Sequence, residues 1–248
     1  MARILKVIAW LAAGGLLVLV AIGLWAYRAS QKEPEFYRQA IAADPEGQDE
    51  ASDDMLRQVT ALASRAQRAG EWEAIFTAEQ INGWLAVDLV KNHSRSLPRG
   101  VSDPRVAITP DQVSWACRWD NGSISTVISI ETEIYIAEAN VLAVRLKSAQ
   151  AGQLPVPLEH VLDDASQVTS KMDVVVRWTR LEGDPVALVT IPPPEGEGDT
   201  LVWIEDLDVR EGEIYLSGQT LPRGETPATQ MRAELQTAEE PETSGKKL

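Results

Sequence analysis

The stretch "SISTVISIETEIYI", Ser123 to Ile136, alternates along most of its length. Ile124, Thr126, Ile128, Ile130, Thr132, Ile134 and Ile136 fall on one side of an extended chain. Ser125, Ser129, Glu131 and Glu133 fall on the other, the period of two that gives a strand one dry and one wet face. At roughly 3.3 Å per residue the strand runs about 45 Å, beyond the usual length of about 5 to 6 residues. A strand that long requires a long, twisted sheet.

Its neighbours read the same way. "VSWACRW" (Val113 to Trp119) and "NVLAVRLKSA" (from Asn140, with Leu142, Val144 and Leu146 inward) flank it. Val106 to Ile108 precedes them, and "TPDQ" and "DNG" supply the turns of an antiparallel meander. Further strands are expected at "MDVVVRW", "VALVTI", "TLVWIEDLDV" and "EIYLSGQ". Between them "AGQLPVPLEHVLDDASQ" breaks the pattern, and Pro155 and Pro157 introduce a helix from about Leu158 to Gln167.

Upstream the period is helical. "SDDMLRQVTALASRAQRAG" repeats apolar residues at Met55, Val59, Leu62 and Ala66, with Ser52 as the expected cap and Gly70 as the stop. "FTAEQINGWLAVDLV", Phe76 to Val90, opens on a capping box, Thr77 with Gln80, and carries the stripe Ile81, Trp84, Leu85 and Leu89. Asn82 and Gly83 are weak helix formers in its second turn, which calls for a local reason: close backbone packing or a hydrogen bond from Asn82. The class is α+β, with this helix packed on the isoleucine side of the long strand.

The amino-terminal run Val7 to Tyr27 contains no charged residue, and about 20 such residues cross a hydrocarbon layer. Trp10, Trp25 and Tyr27 suit the interfaces, with Arg3, Lys6 and Arg28 at the edges. The run exceeds a signal peptide's apolar region, so an uncleaved anchor with a cytoplasmic amino terminus is expected. The organisation expected is an anchor over 1–29, a polar stalk over 30–51, an extracytoplasmic domain over 52–221 and a disordered acidic tail over 222–248.

Lys plus Arg total 23 against 37 for Asp plus Glu, a net charge of -14 that repels nucleic acid and anionic headgroups rather than recruiting them. The lone cysteine, Cys117, excludes an internal disulfide and reads as a buried thiol. Of the two histidines, His93 marks a helix end, and His160 with Glu159, Asp163 and Asp164 reads as a solvated helix face rather than a metal site. No GxSxG, GxGxxG or P-loop occurs, so neither catalytic residue nor cofactor is nominated.

The tryptophans carry more. The expected lining of an apolar ligand site is Trp84, Leu85, Trp115, Trp119, Ile128, Ile130, Val144 and Trp178, the alternative being that these rings only fill a core. The lined space is expected between helix and sheet, at about 300 Å³ or more.

The anchor, "FTAEQINGWLAVDL", "LPRGVSDPRV", the strand run and "AGQLPVPLEHVL" together resemble a membrane-anchored bacterial envelope protein family of unassigned activity, over roughly Trp72 to Gly218. More loosely the chain is similar to YpmS-like proteins and to lipid-binding domains of the tubular TULIP type. That resemblance implies an envelope location and a curved sheet around a helix, with lipid handling as the expectation. The expected function is thus a single-pass extracytoplasmic module that binds a lipid or other apolar ligand and is not an enzyme. Its alternative is a scaffold or assembly factor that binds another envelope protein. The expected partners are the membrane, through 7–27, a lipid and an envelope protein, with no nucleic acid.

Overall fold

A computed structural model describes residues 28–159, 162, 175–191, 200–223 and 225. In chain order it contains helices α1 (Glu35–Ile41) and α2 (Pro45–Ala66), strand β1 (Gly70–Thr77), and helices α3 (Ala78–Ala86) and α4 (Asp88–Asn92). Strands β2 (Val101–Thr109), β3 (Gln112–Asp120), β4 (Ser125–Glu138), β5 (Val141–Ala151) and β6 (Leu154–Pro155) follow. Last come β7 (Val175–Leu181), β8 (Asp184–Thr190), β9 (Thr200–Arg210) and β10 (Glu213–Pro222).

The α+β reading holds. A seven-stranded antiparallel sheet has the order β2-β3-β4-β5-β8-β7, with β6 beside the end of β5, and a three-stranded sheet has the order β1-β10-β9. The long alternating stretch is β4, central in the large sheet and longer than its neighbours. Its even-numbered residues share one face with the odd-numbered residues of β3: Trp115 pairs with Ile130, Cys117 with Ile128 and Trp119 with Thr126. Across β5 and β8 the same face continues through the row Ile134, Val144, Ala187 and Trp178.

Two asparagine amides join the parts by standing in for a strand's peptide groups. Asn82, on α3, donates from Nδ2 to the Val106 carbonyl at 2.8 Å and accepts the Val106 N–H on Oδ1 at 2.8 Å. It thereby pairs part of the edge left open on β2. Asn140, in the β4–β5 turn, does the same for β9, accepting from Ile204 N at 2.7 Å and donating to Val202 O at 2.9 Å. The second weak helix former, Gly83, lets α2 and α3 touch: a Cβ there would lie 2.6 Å from Ser52 N and 2.7 Å from Ala51 Cβ.

The capping box at Thr77 and Gln80 forms with both bonds, at 3.1 Å and 3.0 Å. It shortens the expected Phe76 to Val90 helix, because a residue before an N-cap is extended; Phe76 joins β1 and pairs with Ile214. The rest of the helix breaks at Val87, the residue between α3 and α4. Ser52 is not a cap. The helix begins seven residues earlier at Pro45, whose fixed φ suits a first turn, and Ser52 lies buried inside α2 against Gly83. Strand β1 fills the gap that Gly70 had suggested was a simple stop.

Residues 30–51, expected as a stalk, lie on the large sheet over much of their length. Tyr37 of α1 is fully buried with Ala116 and Val127 beneath Phe36, and its hydroxyl donates to Asp103 O at 3.1 Å. The side of β4 read as wet is therefore covered near Val127. The anchor span Val7 to Tyr27 and the acidic tail beyond 225 lie outside the described residues, as does most of the second expected helix, of which Leu158, Glu159 and Leu162 are helical. Among the described residues no helix is long and apolar enough to cross a membrane.

Candidate apolar site

At one end the apolar face of the large sheet is sealed. Leu85 and Leu89 pack on Val106, Ile108 and Val113, and Val209 of the small sheet closes the cluster. Val106 and Val113 retain 2% and 0% of their exposure, so this helix–sheet interface is a packed core where the sequence suggested a slot. Leu85 is a core residue at 8% exposure. Trp84 packs at the margin of the same cluster, its ring 6.2 Å from that of His93. These two positions do not line an open space.

Further along, the same face stays partly open. Trp115, Ile130, Cys117, Ile128 and Trp119 form a contiguous strip through the β3–β4 register. None of the five is buried, and Trp115 keeps 38% of its surface exposed. Val144 and Trp178, also partly exposed, lie on that face two and four strands from β3. Six of the eight expected positions thus share one face, while Trp84 and Leu85 sit on the helix that closes its end. A strip of large apolar side chains left in contact with water usually marks an interaction surface.

Polar anchoring is sparse. Trp115 donates from Nε1 to Thr132 Oγ1 at 3.2 Å, and Thr132 Oγ1 donates to Val113 O at 2.9 Å, which fixes the indole edge and leaves its face free. Burial pushes the Cys117 thiol up from its ordinary pKa, so it is a neutral, apolar group rather than a nucleophile.

The far end of the strip meets the start of the described chain. Thr126, beside Trp119, donates from Oγ1 to Ser30 O at 2.6 Å, and Gln153 N donates to Ala29 O at 2.9 Å. Gln31 donates to Ser125 O at 2.9 Å. Gly152, with φ +62°, brings the β5–β6 turn so close that a Cβ would lie 2.4 Å from Ser30 O. Residues 29–31, which directly follow the expected span, are thus bonded to the sheet where the strip ends. Alternation alone could have found Cys117 and Val176 as further members of the strip; the docking of 29–31 has no signal in the sequence.

Among the described residues no group of three or more His, Cys, Asp and Glu side chains is placed to hold a metal ion. No family model, curated protein or solved structure matches the chain.

Proposed function

We propose that the protein is a single-pass, membrane-anchored extracytoplasmic module that holds a lipid acyl chain along the strip Trp115, Trp119, Ile128, Ile130, Val144 and Trp178, and that it catalyses no reaction. The carrying observation is the juxtaposition of the strip's far end with residues 29–31. With Val7 to Tyr27 in the bilayer, a chain leaving the membrane beside Arg28 meets an apolar surface without crossing water. The tubular lipid-binding resemblance agrees with this, with an open face taking the place of an enclosed channel.

Native mass spectrometry of the full chain, released from mild detergent, tests it. The expected result is a discrete added mass that organic extraction removes and that is lost when Trp115 and Ile130 are both replaced by Asp. A bare protein mass, unchanged after incubation with lipid vesicles, would overturn the reading.

A second reading, the envelope scaffold, is favoured by β7. That edge strand pairs only with β8 among the described residues, and Val175 and Leu181 are 70% and 43% exposed. An envelope protein co-purifying at constant stoichiometry, and lost when proline is placed in β7, would support it.

A further inference from the structure

Helix α2 is 22 residues long, about 33 Å at 1.5 Å per residue, yet only Ala51 and Ser52 of it are buried. Both meet α3 at Gly83. Beyond that crossing the helix is held along the edge of β1, where Gln58 donates to Ile75 O at 3.2 Å and Arg65 to Glu73 O at 3.0 Å. Another side of it stays bare. Leu56 and Val59 keep 42% and 43% of their exposure and, with exposed Ala63, follow at i, i+3 and i+7. That spacing sets the three on one side of the helix as an apolar shoulder near its middle.

The shoulder is small, and the charges around it identify its occupant. The first half of α2 carries Glu46, Asp49, Glu50, Asp53 and Asp54 and no cation. From Met55 through Gly70 the order inverts, with Arg57, Arg65 and Arg68 and no carboxylate. Asp54 and Arg57 answer each other within the chain. Glu46, Asp49, Glu50 and Asp53 are exposed, as is Arg68, and none of them has an ion-pair partner among the described residues. An identical helix laid antiparallel answers both halves at once, acid over base at each end, and the opposed helix dipoles add to the attraction. A parallel copy would stack acid on acid, and the acidic half repels an anionic membrane surface.

We propose that α2 is the contact surface for a second copy of this chain, the two helices lying antiparallel about a two-fold axis that passes by Leu56 and Val59. Ala63 leaves room for close approach. In that register Asp49 of one copy and Arg68 of the other lie nearly equidistant from the axis and come opposite one another, and the axis repeats the pair. A contact between single helices is at the small end of specific interfaces, so the dimer dissociates on dilution. None of these residues belongs to the acyl strip, and the pairing stands or falls without it.

Sedimentation equilibrium of the full chain in non-ionic detergent tests it. The expected result is a dimer at high concentration that falls to monomer on dilution. Leu56→Asp is expected to leave monomer at every concentration, with an unchanged urea midpoint because the replaced side chain is exposed. Asp49→Arg and Arg68→Asp are each expected to weaken the dimer about tenfold, since the axis counts each exposed pair twice, and the double variant is expected to restore it. A chain that is monomeric throughout would overturn the proposal. So would a dimer that survives Leu56→Asp, which would place the contact elsewhere, on the anchor or the β7 edge. A double variant no tighter than either single one would overturn the antiparallel register.

Discussion

Asn82 shows how much one side chain contributes when it replaces a strand. Its amide satisfies both backbone groups of Val106, a residue at 2% exposure, so removing it leaves a buried N–H and a buried C=O without partners. Each such orphan costs about 1 to 3 kcal/mol. Asn82→Ala is expected to destabilise the domain by about 2 to 4 kcal/mol, measured as a fall in the urea midpoint at constant slope. Asn82→Asp keeps the acceptor and loses the donor, and is expected to fall between the two. A change below about 0.5 kcal/mol for Asn82→Ala, the range of an ordinary surface substitution, would show that water replaces the amide without loss.

At the scale of elements, α1 is a short helix of seven residues held to the sheet by one fully buried phenol. Burial, reinforced by Asp103, pushes the Tyr37 pKa up to about 12 from its ordinary 10.0. The fold therefore favours the neutral phenol. The stability it contributes is complete below pH 10 and is lost as pH rises from 10 toward 12. Tyr37→Phe is expected to cost about 1 kcal/mol at neutral pH, through the lost bond to Asp103, and to flatten the fall in stability between pH 10 and 12. Urea unfolding at pH 8 and pH 11 separates the two effects. How much of such docking was legible differs by element. The period of two in β4 and the capping box at Thr77 were readable because each is a local pattern with a single geometric solution. Asn82 and Gly83 announced a constraint, though not its partners, since Val106, Ala51 and Ser52 are distant in sequence. The docking of 30–51 was hidden because Tyr37 and Phe36 sit alone among polar residues, and composition averages them away. The strip was legible as alternation, but which part of the face stays open depends on where α3 ends.

At the scale of the whole molecule, the small sheet is built from the ends of the domain. β1 pairs with β10 from Gly70 opposite Thr220 to Thr77 opposite Glu213, and β10 is the strand between β1 and β9. A chain ending at Arg210 is expected to lose both ladders and, with them, the single cooperative unfolding transition, as read by differential scanning calorimetry. A full transition at unchanged temperature in that truncated chain would mean that the large sheet is stable alone. The same connectivity sets an order of events during synthesis. Strands β2 to β5 are neighbours in sequence and can pair as they emerge, whereas β1 must wait through some 140 residues for its partner, a long-range closure that is slow to form. Completion of the small sheet therefore reports that the chain has been made through Pro222, and a nascent chain displays an unpaired β1 until that moment.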